Sequence, residues 1–252
     1  ASVYARQTLM AGFTSGRAWG SGNFIDRGLR NAIRSGVIPG PRMQISIRSL
    51  GTIGGHSDRT NDYYGVEFPD NFFTRFGMLS GPDSFREAVR TVIKNGADVI
   101  KFTATGGVLS LNDDGDLPQL TQAEADALID QAHTMGRKVA AHAHGAEGAK
   151  RAIRAGVDSI EHGSFLDNEA LELMKEKGTY LVPTLIAGDA VAEDSSKLDP
   201  RVLRKANAAN RIKYETFRSA VVKGVRIAFG TDAGVFQHGR NNEEFELMVK
   251  GG

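Results

Sequence analysis

The sequence predicts an α/β fold, and within that class a TIM-type (β/α)8 barrel, incomplete by its first strand, forming a single domain over residues 1–252. Three observations point there. Short apolar runs alternate with amphipathic segments of helix length, the pattern of right-handed βαβ units and a parallel sheet. Four of those runs end in chemically capable residues: Lys101, the pair His142 and His144, His162, and Asp232. The turn after the first run, with Gly16, Gly20 and Ser21, does not spell the glycine-rich phosphate loop that an open doubly wound sheet would want. A barrel collects its active site at the C-terminal ends of its strands, where these residues fall.

Composition narrows the class further. A chain of 252 residues suits one α/β barrel. Hydrophobic residues make up 40% and charged residues 24%, and 31 basic against 30 acidic residues leave a net charge of +1. That is the profile of a soluble protein with a large core, and nothing in it points to nucleic acid or an anionic membrane as a partner. The absence of cysteine rules out disulfides and thiolate metal ligands and leaves the compartment open. The residues given show no signal-peptide pattern and no apolar stretch long enough to span a bilayer, and localisation stays unassigned. Both ends read as trimmed, because Ala1 opens inside a helical pattern and Gly252 follows no convincing stop.

Each element has its own signal. Residues 1–10 mix apolar and polar positions at helical spacing until Ala11-Gly12. Residues 13–19 form the weakest of seven expected strands, since Ser15 and Gly16 dilute it. Residues 24–35 read as a helix stopped by Gly36, and residues 41–47 alternate as a strand. Residues 49–82 are rich in glycine and aromatics and show no sustained period. They read equally as a substrate-covering active-site loop or as an aromatic-pinned surface loop.

The order then becomes regular. A helix over 84–95, capped by Asp83 or Ser84 and stopped by Gly96, precedes a strand over 97–102. Thr121 with Glu124 three residues on is a capping box that opens a helix running to Met135-Gly136. Strands at 138–143, 158–161, 180–185 and 225–229 alternate with helices at 146–155 and 168–177 and a long polar helical region ending at Lys223-Gly224. Asn242 opens a last helix.

The strand-end residues carry the chemistry. His142 and His144 lie two apart and therefore share one face of a strand, as metal or substrate ligands do, although they could simply steady the turn at Gly145. Taken singly, Lys101 reads as a solvent-facing strand end, His162 as a hydrogen-bonded core residue and Asp232 as a turn former. Their joint placement favours a site over those separate roles. Imidazole and carboxylate suit zinc, manganese or iron, and an open coordination position yields a water of lowered pKa. A lysine ammonium carries donors only, so Lys101 can join a metal only if deprotonated or modified.

Four segments then carry a resemblance: I-K-F-T-A-T-G-G (100–107), K-V-A-A-H-A-H-G (138–145), A-G-V-D-S-I-E-H-G (155–163) and F-G-T-D-A-G (229–234). From Gly12 to Lys250 the chain resembles the amidohydrolase superfamily. It looks most like the imidazolonepropionase-like and prolidase-like (Xaa-Pro dipeptidase-type) members. The resemblance implies a barrel of the metallo-dependent hydrolase type holding two divalent metal ions, usually zinc, bridged by a carboxylated (carbamylated) Lys101. It implies that His142 and His162 bind the more exposed metal, and that Asp232 binds the buried one and acts as general base on a metal-bridging hydroxide. His144, His56 and His238 match family histidines near the substrate. Tyr63, Arg48, Arg17 and Arg59 are candidates for gripping a substrate carboxylate.

The implied substrate is a dipeptide, N-acyl amino acid or related carboxylate-bearing amide, with no nucleic-acid or membrane partner; a homo-oligomer is compatible with the sequence. Two departures qualify this pattern. The family's first strand ends in H-x-H, and the six histidines of this chain include no such strand. The flanking β-sandwich is also missing, and Thr14-Ser-Gly-Arg-Ala18 stands where the family reads T-T-V-R-D. A second reading is therefore a non-catalytic or engineered fragment of such a barrel with an incomplete metal site. A third is phosphate-ester hydrolysis at the same residues.

Overall fold

Every strand pair in the computed structural model, which describes residues 1–61, 67–69, 72–111, 113–193, 196 and 198–252, is parallel. β1 (Ser15–Ala18) pairs with β2 (Arg42–Ile45), Ser15 opposite Arg42 and Ala18 opposite Ile45. After a break where Ile47 holds φ 68, β3 (Ser49–Thr52) joins a second sheet. Its order is β4 (Met78–Leu79), β3, β5 (Val99–Thr103), β6 (Lys138–Gly145), β7 (Ser159–Phe165), β8 (Tyr180–Val182) and β9 (Arg226–Ile227). Asp98 carries the first sheet into the second: its N–H donates to the Ile45 carbonyl at 2.8 Å, and its carboxylate accepts from the Ile45 N–H at 3.1 Å. Arg30 holds that carboxylate at 2.6 Å.

No ladder joins β9 to β1 among the described residues. Their ends are bridged by aromatic rings instead. Phe13, just before β1, stacks on Phe229, just after β9, at 5.3 Å, and Phe245 stacks on Phe229 at 4.2 Å.

The helices are α1 (Ser2–Met10), α2 (Ile25–Arg34), α3 (Phe72–Phe76), α4 (Pro82–Lys94), α5 (Gln122–Thr134), α6 (Ala146–Arg154), α7 (Asn168–Lys177), α8 (Leu185–Glu193), α9 (Pro200–Lys223) and α10 (Glu243–Gly251). None among the described residues is long and apolar enough to cross a membrane. β5 is buried along its whole length and β6 beyond Lys138, as expected for strands covered on both faces. The core runs from Ile45, Leu50 and Phe85 through Phe102, Leu128 and Ile153 to Ile160 and Leu171. A smaller cluster joins Ile186 and Ala190 of α8 to Phe236.

All seven expected strands appear, including the weak one at Ser15–Ala18. The capping box at Thr121 is present in both directions: Thr121 Oγ1 accepts from the Glu124 N–H, and the Glu124 carboxylate accepts from the Thr121 N–H at 2.9 Å. Two expectations change. The stretch 49–82 contains β3, α3 and β4, whose few apolar residues stand among glycines and aromatics that mask any alternation. At the start of α4 neither Asp83 nor Ser84 caps: the N-cap is Gly81, Pro82 takes the first turn, and the Ser84 hydroxyl donates to the Ser80 carbonyl at 2.6 Å.

Candidate active site

Register places the site residues. Across β5, β6 and β7, Thr103 lies opposite His142, and His142 opposite Glu161. Lys101 comes two residues before Thr103 and shares its face. Strict alternation would turn His162, the neighbour of Glu161, to the opposite face. Its backbone is left-handed instead, φ 75, and the β6–β7 register shifts between Ala143 and Gly145. The His162 ring consequently meets His142 at 4.8 Å and stacks on His144 at 5.0 Å. His56, from the segment after β3, stacks on His142 at 4.3 Å.

Each imidazole is held by a polar partner. His142 Nε2 lies 3.1 Å from the Gly106 carbonyl, His144 Nδ1 2.9 Å from Ser164 Oγ, His162 Nδ1 2.7 Å from Thr184 Oγ1, and His56 Nδ1 3.1 Å from Ser110 Oγ. Burial disfavours the charged imidazolium, and the neighbouring histidines and Lys101 add to the effect. His144 is pushed down to about 3, and His142 and His162 fall well below their ordinary value. The four rings are therefore neutral lone-pair donors at physiological pH.

Charged groups lie close by. Burial brings the Lys101 ammonium down to about 8, opposed by Glu161 and Asp232. Glu161 is buried and takes hydrogen bonds from Ser159 at 2.6 Å and Arg17 at 3.4 Å, while Arg17 and Lys101 both lie over the Trp19 ring. Asp232 follows β9 with φ 57. Part of its surface meets solvent, yet enough protein surrounds the carboxyl that desolvation raises its pKa against the pull of Lys101.

These groups surround a cavity of about 150 Å³. His56, His142, His144, His162, Thr184 and Asp232 line it together with Ser164, Asn210 and Lys213, and Val108, Leu109, Ala187, Val191, Ala206, Ala209 and Val235 add apolar surface. Lys101 is not on the wall. His238 stacks on Tyr4 of α1 at 4.9 Å and pairs with Thr8, away from the cavity. Arg48 is drawn to the Arg75 carbonyl and the Phe76 ring, and Arg59 is exposed. Tyr63 lies outside the described residues. Glu161 and Thr184 were not singled out in sequence; the E-H-G turn at Gly163 and the Pro183-Thr184 pair closing β8 are the signals that could have found them.

Donor chemistry decides whether the set suits a metal. Neutral imidazoles and one carboxylate facing a cavity are the ligand types that divalent ions take, so the residues fit. Among the described residues no three or more such side chains already stand as a coordination shell. The amidohydrolase family model matches residues 2–251. The chain belongs to the amidohydrolase family.

Individual amidohydrolases sharpen the comparison. A crystal structure of a Xaa-Pro dipeptidase with methionine bound in its active site superposes with a TM-score of 0.95 at 48% identity, covering 100% of this chain and 62% of that one. Ochratoxinase of Aspergillus niger is 35% identical over 212 residues, 80% of this chain and 44% of that protein. A prolidase complexed with N-methylphosphonate-L-proline superposes at a TM-score of 0.87 with 31% identity, covering 98% of this chain and 61% of its own. The chain thus spans about half the length of the curated relatives it matches.

Proposed function

We propose that the protein hydrolyses the amide bond of a dipeptide, N-acyl amino acid or related carboxylate-bearing amide at a divalent-metal site. One observation carries this reading: four neutral imidazoles and Asp232 converge on a single cavity at the C-terminal ends of the strands. The relatives named for Xaa-Pro dipeptidase, prolidase and ochratoxinase activity support an amide substrate. The apolar wall fits an uncharged hydrophobic portion, in keeping with the methionine seen in the dipeptidase.

In this reading His142 and His162 would hold the metal, and zinc is one of the ions that imidazole and carboxylate suit. Lys101, once neutral, could take up carbon dioxide as a carbamate with loss of one proton, and in that form would supply a carboxylate for divalent metal. A bound ion would supply Lewis acidity and lower the pKa of water. Asp232 accepts the proton of the attacking water and delivers it to the leaving amine. His144 and His56 orient the substrate, and the apolar wall excludes bulk water.

The test is metal analysis of the full-length protein together with hydrolysis of a panel of Xaa-Pro dipeptides, N-acyl amino acids and phosphate esters. The expected result is stoichiometric divalent metal, amide cleavage and inert phosphate esters, with Lys101→Ala losing metal and rate together. Absence of amide cleavage in metal-replete protein, or full metal content in Lys101→Ala, would overturn the reading.

A further inference from the structure

The loop between β5 and α5 meets a long side chain from a distant helix. Lys205 of α9 reaches across to donate to three backbone carbonyls, Gly107 at 2.9 Å, Ser110 at 2.5 Å and Asp113 at 2.6 Å. The Asp113 carboxylate stands a further 3.6 Å away. An ammonium has three N–H donors, and here each finds a carbonyl oxygen. Three carbonyl dipoles aimed at one point repel one another and attract a cation, which is how proteins build cation sites. The Lys205 side chain is only 13% exposed, so water competes poorly for these bonds.

What the loop carries makes that contact consequential. Ser110 Oγ donates to Asp113 and lies 3.1 Å from His56 Nδ1. Gln119 ties the same pair from the other side: its amide nitrogen donates to Asp113 at 2.9 Å, and its oxygen accepts the His56 N–H at 3.0 Å. Gly107 passes so close to the His56 ring that a Cβ there would lie 2.1 Å from it. Val108 and Leu109, between the anchored carbonyls, form part of the cavity wall.

We infer that the loop forms a three-carbonyl ammonium site, filled from within by Lys205, and that Lys205 is a positioning residue which fixes His56 and the apolar wall of the cavity. Only the consequence for substrate rests on the proposed amide hydrolysis; the site itself does not.

Hydrogen exchange followed by mass spectrometry tests it on wild type, Lys205→Ala and Lys205→Met, each in sodium, ammonium or tetramethylammonium chloride at equal ionic strength. In Lys205→Ala, exchange over residues 106–114 is expected to rise about tenfold or more, since charge-assisted hydrogen bonds hold the loop closed. Ammonium should restore slow exchange in Lys205→Ala, whereas tetramethylammonium, which lacks N–H donors, should not. Lys205→Met keeps an apolar stem in the path and should exchange fast in all three salts. With an amide substrate, Lys205→Ala should raise KM more than it lowers kcat, reversed by ammonium.

Wild-type exchange in Lys205→Ala, or acceleration that ammonium leaves untouched, would overturn the proposal. If Lys205→Ala does not fold, Lys205→Met decides alone: faster exchange confined to 106–114 supports the site, and unchanged exchange removes it. Because exchange is read without turnover, a protein that cleaves no amide would sink the hydrolase reading and leave this result standing.

Discussion

His162 and Thr184 both hold left-handed backbones, φ 75 and 48, and their side chains meet at 2.7 Å between Nδ1 and Oγ1. A β-branched residue pays about 1–3 kcal/mol for such a backbone, so the surrounding fold must enforce it. The bond turns the His162 ring toward His142 and leaves Nε2 free. Thr184→Val keeps the shape and removes the hydroxyl. It should weaken zinc binding about 10–100-fold, as loss of a ligand's orienting partner does, while Thr184→Ser stays near wild type. A zinc titration checks this, and equal affinity in Thr184→Val would refute the orienting role.

Asp232→Asn should retain the fold and lose about 10²–10⁴-fold in kcat, because the amide fills the same space and cannot accept a proton. Circular dichroism and steady-state kinetics on an N-acyl amino acid separate the two effects. Substantial turnover in the folded variant would assign the proton transfer elsewhere.

Glu244 of α10 is fully buried and accepts the Leu185 and Ile186 N–H groups at 2.9 and 2.7 Å, closing the start of α8. Burial outweighs those bonds and Lys213, raising its carboxyl to about 7. A raised folded pKa means the folded state keeps a proton that the unfolded chain has already released. The stabilising contribution is complete below the ordinary carboxyl value near 4.5 and is lost as pH rises through about 7. Over that window stability should fall by at most about 1.4 kcal/mol per pH unit from this group. Thermal midpoints from pH 5 to 8 should decline less steeply in Glu244→Gln than in wild type; parallel slopes would exclude Glu244 as the cause.

At Gly145 a Cβ would lie 2.0 Å from the Asp116 carbonyl, a backbone atom that cannot step aside cheaply. Gly145→Ala should therefore cost about 1–3 kcal/mol by displacing the β5–α5 loop from the end of β6. Urea unfolding measures it, and a loss below a few tenths of a kcal/mol would show that the loop yields freely.

Much of this was legible in the chain. Seven strands, the capping box at Thr121 and the helix stop at Gly224, φ 76, follow from local pattern, because capping and alternation are local physics. β3 and β4 were not legible, since Ser49–Thr52 carries one large apolar residue, Leu50, and Met78-Leu79 stands alone in a glycine- and aromatic-rich stretch. Helix α4 starts earlier than its serine suggested because Ser84 spends its hydroxyl on backbone carbonyls behind it. Of the candidate site residues, His56, His142, His144, His162 and Asp232 meet at one cavity, while His238 and Arg48 are held by α1 and α3.

By itself the sequence determined the α/β class, the strand order along the chain and which residues end the strands, all set by periodicity and by side chains within a few positions of one another. Tertiary structure decided the rest. His162 faces the cavity only because a left-handed turn and a register shift override alternation, and Glu161 takes the inward position beside Arg17 and Ser159. Lys205 reaches a loop more than 90 residues away. Contacts of that separation leave no local period or cap, and the low pKa values of the four imidazoles come from burial, which exists only once the chain has closed around them.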